Sequence, residues 1–111
     1  MKEYSVDQLD KHRKESKERT LFIAVILQAL LDATKPEETN ETSVSVINRD
    51  RAKAWFFCSV GVTCDNFEYV CEMADLNPSY TRSFAYKVIQ SKEIKYIRKR
   101  INTLLSSWKE L

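Results

Sequence analysis

The residues best suited to binding chemistry lie between positions 78 and 100, where serine, tyrosine, arginine and lysine recur at helical spacing. These side chains donate hydrogen bonds to phosphate oxygens and to base edges in a DNA groove. We predict one set that faces base edges: Ser79, Tyr80, Arg82, Ser83, Tyr86 and Lys87. We predict a second set that contacts phosphates: Lys92, Lys95, Arg98, Lys99 and Arg100. The chemistry indicated is binding of double-stranded DNA, and the alternative is a basic helix face that is simply solvated.

Catalytic chemistry is poorly represented by comparison. The single histidine, His12, lies in a charged N-terminal segment, and nucleophilic catalysis needs a base beside a serine or cysteine. One glycine in the whole chain excludes a Gly-rich phosphate loop. The paired carboxylates Glu37 and Glu38 lie in a polar, acidic segment, where nothing would remove them from water for acid–base chemistry. We therefore expect no enzyme activity and no cofactor.

Three cysteines, Cys58, Cys64 and Cys71, fall within 14 residues, but no two have C-x-x-C spacing. A structural zinc site needs four ligands, and the neighbouring Asp65 and Glu68 would be poor substitutes for cysteine or histidine. An odd number of cysteines also argues against a disulfide framework. We expect no metal site, and thiols buried on helix faces.

The elements that position the predicted DNA-contacting residues lie between positions 66 and 90. Small or apolar residues at Val70, Cys71 and Ala74 predict one face of a short helix. After a turn in which Leu76 points inward, Asn77 is suited to cap a second helix, and Pro78 fits its first position. This order is typical of a helix-turn-helix unit, whose second helix enters the major groove. A helical hairpin packed for structure alone would have a similar pattern.

Composition and charge are compatible with that interpretation. The 111 residues are 43% hydrophobic and include one glycine and two prolines, which predicts a single helical domain over 1–111 with few elements. Residues 78–111 hold eight basic and two acidic residues, so this third carries +6 while residues 1–77 carry −4. No apolar run is long enough to cross a membrane, and the N-terminus is too charged for a signal peptide, so we expect a cytoplasmic protein.

The pattern predicts an all-α fold of about five helices. An apolar run at 21–31 predicts a buried helix, and residues 35–47 predict a polar loop that ends in an extended segment. The next helix is expected from a cap at Asn48 to Gly61, and a third from a cap at Asp65. The last helix is expected to start near Ser91. The long N- and C-terminal helices would pack together beside a trihelical centre at 48–90.

Apolar residues in the C-terminal helix repeat at spacings of 3, 4, 3, 4 and 3: Ile94, Ile97, Ile101, Leu104, Trp108 and Leu111. This is a heptad seam. It can pack on the chain's own helix at 21–31, or it can form the interface of a homodimer. A dimer would suit DNA binding, because helix-turn-helix proteins commonly occupy two half-sites.

Three segments together resemble a group of small phage and prophage proteins over residues 24–83. The residues that carry the resemblance are Val25, Gln28-Ala29-Leu30 and Asp32-Ala33, then Arg51-Ala52-x-Ala54-Trp55-Phe56, then Phe67-x-x-Val70-Cys71-x-x-Ala74-Asp75-Leu76-Asn77-Pro78-x-Tyr80-x-Arg82. The chain departs from the group at Asp75, Asn77 and Thr81, where glycine, aspartate and an apolar residue are common. The resemblance implies a phage-encoded helical protein in the host cytoplasm, with a helix-turn-helix-like centre, and implies no particular activity.

Two functions are therefore expected as alternatives. The first is a DNA-binding transcriptional regulator of phage type. The second is a small adaptor or inhibitor that binds a host protein through its apolar helices and does not contact DNA.

Overall fold

The computed structural model describes residues 17–109, with side chains up to Trp108. Within this range the chain forms five α-helices and no strand, which confirms the all-α prediction. His12 and Leu111 lie outside the described residues. The helices are Lys17–Ala33 (α1), Ser43–Phe57 (α2), Val62–Met73 (α3), Pro78–Gln90 (α4) and Ile94–Lys109 (α5). None of these five helices combines the length and the apolar character needed to cross a membrane.

Helix α1 forms the centre of the core and contacts each of the other four helices. Ile23, Ile26, Leu27 and Leu30 recur on one face and are at most 1% exposed. Burying these four side chains contributes at most about 6–12 kcal/mol, at about 1.5–3 kcal/mol each. The opposite face of α1 is exposed to solvent, as the 68% exposure of Leu21 shows.

The predicted extended segment at the end of loop 35–47 is wrong, because α2 already begins at Ser43. The Thr42 hydroxyl accepts a hydrogen bond from the backbone N–H of Ser45 at 3.2 Å and caps the helix. Asn48 is therefore inside α2 and does not cap it. The described residues include no strand with which this alternating segment could pair. The local cap at Thr42 therefore decided its helical conformation.

Arg49 anchors the loop between α1 and α2. Its guanidinium binds both carboxylate oxygens of Glu41, at 2.6 and 2.7 Å, and donates to the Lys35 carbonyl at 3.3 Å. The hydrogen bonds from Arg49, with a further one from Ser45, lower the pKa of Glu41 to about 2 despite the opposing effect of burial. This paired, largely buried arginine of α2 fixes the loop to that helix.

The boundary between α2 and α3 also differs from the prediction. Helix α2 ends at Phe57, and the N–H of Cys58 donates to the Ala54 carbonyl at 2.8 Å. Gly61 precedes α3 with φ of +96°, a conformation that glycine adopts without a steric penalty. The predicted cap at Asp65 is wrong, because Asp65 lies inside the first turn of α3, where its charge is favourable near the helix N-terminus.

The turn between α3 and α4 is a Schellman motif. The Leu76 N–H donates to the Cys71 carbonyl at 2.8 Å, and the Asp75 N–H donates to the Glu72 carbonyl at 3.0 Å. Asp75 adopts a positive φ of +59°, which this motif requires. The Asn77 side chain accepts from the Tyr80 N–H at 3.1 Å, so the predicted cap at Asn77 and the start at Pro78 are confirmed.

The heptad seam of α5 packs into the chain's own core. Ile101, Leu104 and Trp108 are at most 8% exposed, and Ile94 and Ile97 are half-buried. Helix α5 contacts α1, as predicted for the two long helices, although it starts at Ile94 and not near Ser91. The buried part of the seam packs against other helices of the same chain. A homodimer stays a prediction, and it would need another surface for its interface.

Candidate nucleic-acid interface

Helix α4 has a clear buried face and a clear exposed face. Thr81, Ala85 and Val88 are buried, and the Thr81 hydroxyl donates to the Asn77 carbonyl at 2.9 Å. This hydrogen bond explains how a threonine, 1% exposed, is accommodated in the core. The exposed face, which we call the α4 stripe, follows the helical repeat and contains Ser79, Ser83, Tyr86 and Gln90. It contains no acidic residue.

Arg82 does not belong to the α4 stripe. Its Nε donates to the Phe56 carbonyl at 3.0 Å, and its terminal nitrogen lies 3.5 Å from the Cys64 sulfur. The guanidinium carbon is 4.6 Å from the centroid of the Phe67 ring, within the range of a cation–π contact. In this position Arg82 satisfies a carbonyl at the end of α2 and faces α3, so its geometry does not favour the predicted base contact.

An aromatic cluster supports the Arg82 position. The rings of Trp55 and Phe67 pack edge to face with centroids 5.0 Å apart, and Phe56 lies 5.8 Å from Phe67. The Trp55 indole also donates to the Asn66 side chain at 2.8 Å. The cluster joins α2 to α3 and forms the surface on which the Arg82 guanidinium lies.

Arg98 has a comparable structural role at the end of α1. Its guanidinium donates to the Leu31 carbonyl at 2.5 Å and to the Thr34 hydroxyl at 2.7 Å. The Thr34 hydroxyl donates in turn to the Leu30 carbonyl at 2.6 Å. A cation at this point satisfies carbonyls at a helix C-terminus and complements the helix dipole. Arg98 therefore links α5 to α1, which does not favour the predicted phosphate contact.

Lysines remain as the available cations at this end of the molecule. Lys92, Lys95 and Lys99 are exposed, and their ammonium groups make no ion pair with any residue in the described range. Lys95 and Lys99 line an open groove between α5 and the end of α1, with Thr34 and Pro36 opposite. Lys87 is exposed and Arg100 is half-buried. Of the predicted base-facing residues, Tyr86 is 58% exposed and Tyr80 is half-buried.

Helix α3 presents an acidic surface that sequence reasoning missed. Asp65, Glu68 and Glu72 are exposed, and Asp75 follows in the turn. Residues 62–77 contain these four acids and no basic residue. Three of the acids line an open cleft at the start of α4: Glu68, Glu72 and Asp75, together with Leu76, Asn77 and Pro78. The acid count was visible in the sequence, but the position of the acids beside α4 depends on how α3 packs.

The buried cysteines are in an environment that favours the thiol. Burial raises the pKa of Cys71 to about 11 and also raises the pKa of Cys64. The Cys64 thiol donates to Glu68 at 3.5 Å. Because the thiolate is the reactive species, these shifts oppose nucleophilic chemistry at both residues. No group of three or more metal-ligating side chains is present between residues 17 and 108.

Comparison with known proteins identifies no relative: no family model, no curated protein and no solved structure matches this chain. The resemblance to phage proteins therefore stays a prediction from residue pattern.

Proposed function

We propose that this protein binds duplex DNA through the α4 stripe and the lysines that follow it, as a helix-turn-helix regulator. The observation that carries the proposal is an acid-free exposed face on α4, followed by Lys92, Lys95 and Lys99, which form no ion pair with residues 17–108. Helices α3 and α4, joined by a four-residue turn, support it as a candidate helix-turn-helix pair.

The charge distribution also supports a DNA partner. Between residues 86 and 99 the chain has five basic residues and one acid, Glu93. Two of the basic residues predicted to contact DNA, Arg82 and Arg98, instead donate hydrogen bonds to backbone carbonyls of the protein. The proposal therefore depends on lysines, which bind phosphate as point charges, more than on bidentate arginine contacts to guanine.

The test is binding of a fluorescein-labelled 20-base-pair duplex, followed by anisotropy from 50 to 200 mM salt. With about four phosphate contacts, counterion release predicts a slope of about −3.6 in log K against log salt, or about a 100-fold loss over this range. The triple variant Lys92→Gln/Lys95→Gln/Lys99→Gln should reduce the magnitude of that slope by about 2.7.

A matched control variant also removes three positive charges, but from other parts of the surface. Lys17→Gln/Lys35→Gln/Arg51→Gln removes three exposed cations outside α4 and α5. The proposal requires a much smaller change in slope for this control. Absence of binding at 50 mM salt, or equal losses in the two triple variants, would contradict DNA binding by the proposed surface.

A second candidate function, docking on a partner protein, has one observation in its favour. The α2–α3 junction exposes three apolar side chains within six residues: Phe57 at 41%, Val60 at 80% and Val62 at 85%. Exposed apolar clusters commonly mark interaction sites. If the junction binds a partner, Val60→Ser/Val62→Ser should abolish the complex, and Val44→Ser/Val46→Ser, at exposed valines on α2, should not. Equal effects of the two pairs would contradict docking at the junction.

A further inference from the structure

The two ends of α4 lie in opposite electrostatic surroundings. At the N-terminal end, the carboxylates of Glu68, Glu72 and Asp75 line the cleft that also contains Asn77 and Pro78. No cation occurs between residues 62 and 77 to neutralise them, although Arg19 reaches Asp75 at 3.6 Å. A helix N-terminus ordinarily attracts phosphate, and these acids oppose that attraction.

The C-terminal end of α4 has the reverse character. Lys87 lies in its last turn, and Lys92 and Lys95 follow in the link to α5 and in the first turn of α5. This end also includes the start of α5, where the Ser91 hydroxyl accepts from the Glu93 N–H at 3.0 Å. The N-terminal dipole of α5 offsets the negative C-terminal dipole of α4 at this point, and the lysines outnumber the one neighbouring acid, Glu93.

The two ends are far enough apart to act separately. Ser79 and Gln90, the first and last residues of the α4 stripe, are 11 positions apart, or about 16 Å along the helix at a 1.5 Å rise. The Debye length at 0.1 M salt is about 10 Å, so charge at one end is largely screened at the other.

We infer that duplex DNA approaches the C-terminal half of α4 and the start of α5, while the N-terminal end of α4 stays away from the phosphates. The contacting residues are Tyr86, Lys87, Gln90, Lys92, Lys95 and Lys99. This inference rests on the proposed DNA binding and reverses the common orientation, in which the first residues of the recognition helix contact base edges. The physical reason is that the three carboxylates of the cleft at the start of α4 would be brought toward the DNA backbone in that orientation.

The test places one identical charge at each end of the same exposed stripe. Counterion release gives a factor of about 8 in affinity for each charge that interacts with phosphate at 0.1 M salt. Gln90→Glu places a carboxylate beside Lys87 and Lys92, and cancelling one of their phosphate contacts should weaken binding of the labelled 20-base-pair duplex by about eightfold. Ser79→Glu should change it by less than about twofold, because the added charge joins an acidic surface that is already distant from the DNA.

The opposite substitutions provide an independent check. Gln90→Lys should strengthen binding, and Ser79→Lys should have little effect. Circular dichroism and thermal melting establish that each variant keeps the helical fold. A larger effect of either charge at Ser79 than at Gln90 would overturn the inference and leave DNA binding itself supported. Failure of the unmodified protein to bind the duplex would overturn both the proposed DNA binding and this inference about its orientation.

Discussion

The turn at Asp75 predicts that replacement by glycine stabilises the protein. Asp75 has a positive φ of +59° at the position of a Schellman motif where glycine is favoured. An L-residue in this conformation costs roughly 1–2 kcal/mol, and somewhat less for aspartate than for most residues. Glycine removes this cost and keeps both backbone hydrogen bonds of the motif. The unfolded chain gains conformational freedom in return, which offsets part of the benefit.

The side chain of Asp75 contributes little that the substitution would lose. Its carboxylate is 3.6 Å from Arg19, but the two side chains are 69% and 24% exposed. An exposed ion pair of this kind contributes about 0.2–1 kcal/mol. We therefore expect Asp75→Gly to raise the free energy of unfolding by about 0.5 kcal/mol, or the melting temperature by about 2–4 °C.

Urea and thermal unfolding of a short series separate these effects. Asp75→Asn keeps the tolerance for positive φ and removes the ion pair, so it should be neutral or slightly destabilising. Asp75→Ala should lose about 1 kcal/mol because alanine has no local side-chain hydrogen bond to support this conformation. The reasoning would be refuted if the glycine variant melted below the unmodified protein, or if the alanine variant melted at the same temperature as it.

Arg82, Arg98 and Glu41 are partly buried charged residues whose replacement should change stability. Arg82→Met should lower the free energy of unfolding by about 1.5–3 kcal/mol in urea, because a charged donor to a carbonyl is lost, and should leave the salt dependence of DNA binding nearly unchanged. Arg98→Met should be destabilising by about 1–2 kcal/mol, whereas Lys99→Met, at an exposed site one residue away, should change stability by less than about 0.5 kcal/mol. Because the folded-state pKa of Glu41 lies at about 2, its pairing with Arg49 stabilises the fold above about pH 4.5, and that contribution is lost as the pH falls toward 2. Glu41→Gln should therefore be less stable at pH 7 and show a weaker acid dependence in this window.

Stability, salt-slope and acid-unfolding measurements on these variants can each contradict the role given to the replaced side chain. Equal destabilisation by the Arg98 and Lys99 variants would show that Arg98 does not link α5 to α1. A strong reduction in salt slope for Arg82→Met would show that the guanidinium contacts DNA in the complex. An unchanged acid dependence after Glu41→Gln would show that another carboxylate controls unfolding in acid.

Helix number and order were predictable because they depend on local patterns. The apolar spacing of Ile23 to Leu30 and of the α5 seam indicates helices whatever their neighbours are. Asn77 followed by Pro78 indicates a helix start through local hydrogen bonding alone. The boundaries near Ser43, Gly61 and Ser91 were predicted wrongly, and at Ser43 the cap is Thr42 and not the predicted Asn48.

Side-chain direction was much less predictable than helix position. Arg82 and Lys87 looked equally suitable for DNA, but tertiary packing directs Arg82 to the Phe56 carbonyl and the Phe67 ring, whereas Lys87 is exposed. Arg98 and Lys99 are neighbours in sequence, and only Arg98 reaches the end of α1. A side chain near the edge of a helix's buried face can point toward solvent or toward the neighbouring helix. A carbonyl or aromatic ring within reach on that helix determines which direction it takes.

The sequence by itself determined the all-α character and the five helical segments of residues 17–109, the cap at Asn77 and the concentration of positive charge in the C-terminal third. These features depend on residue type and local spacing. The tertiary structure alone decided which cations are available at the surface and that the acids of α3 lie beside the start of α4. The physical reason is that burial, ion pairing and cap formation depend on groups distant in sequence. Those groups come together only when α1, α2 and α3 pack around the shared core.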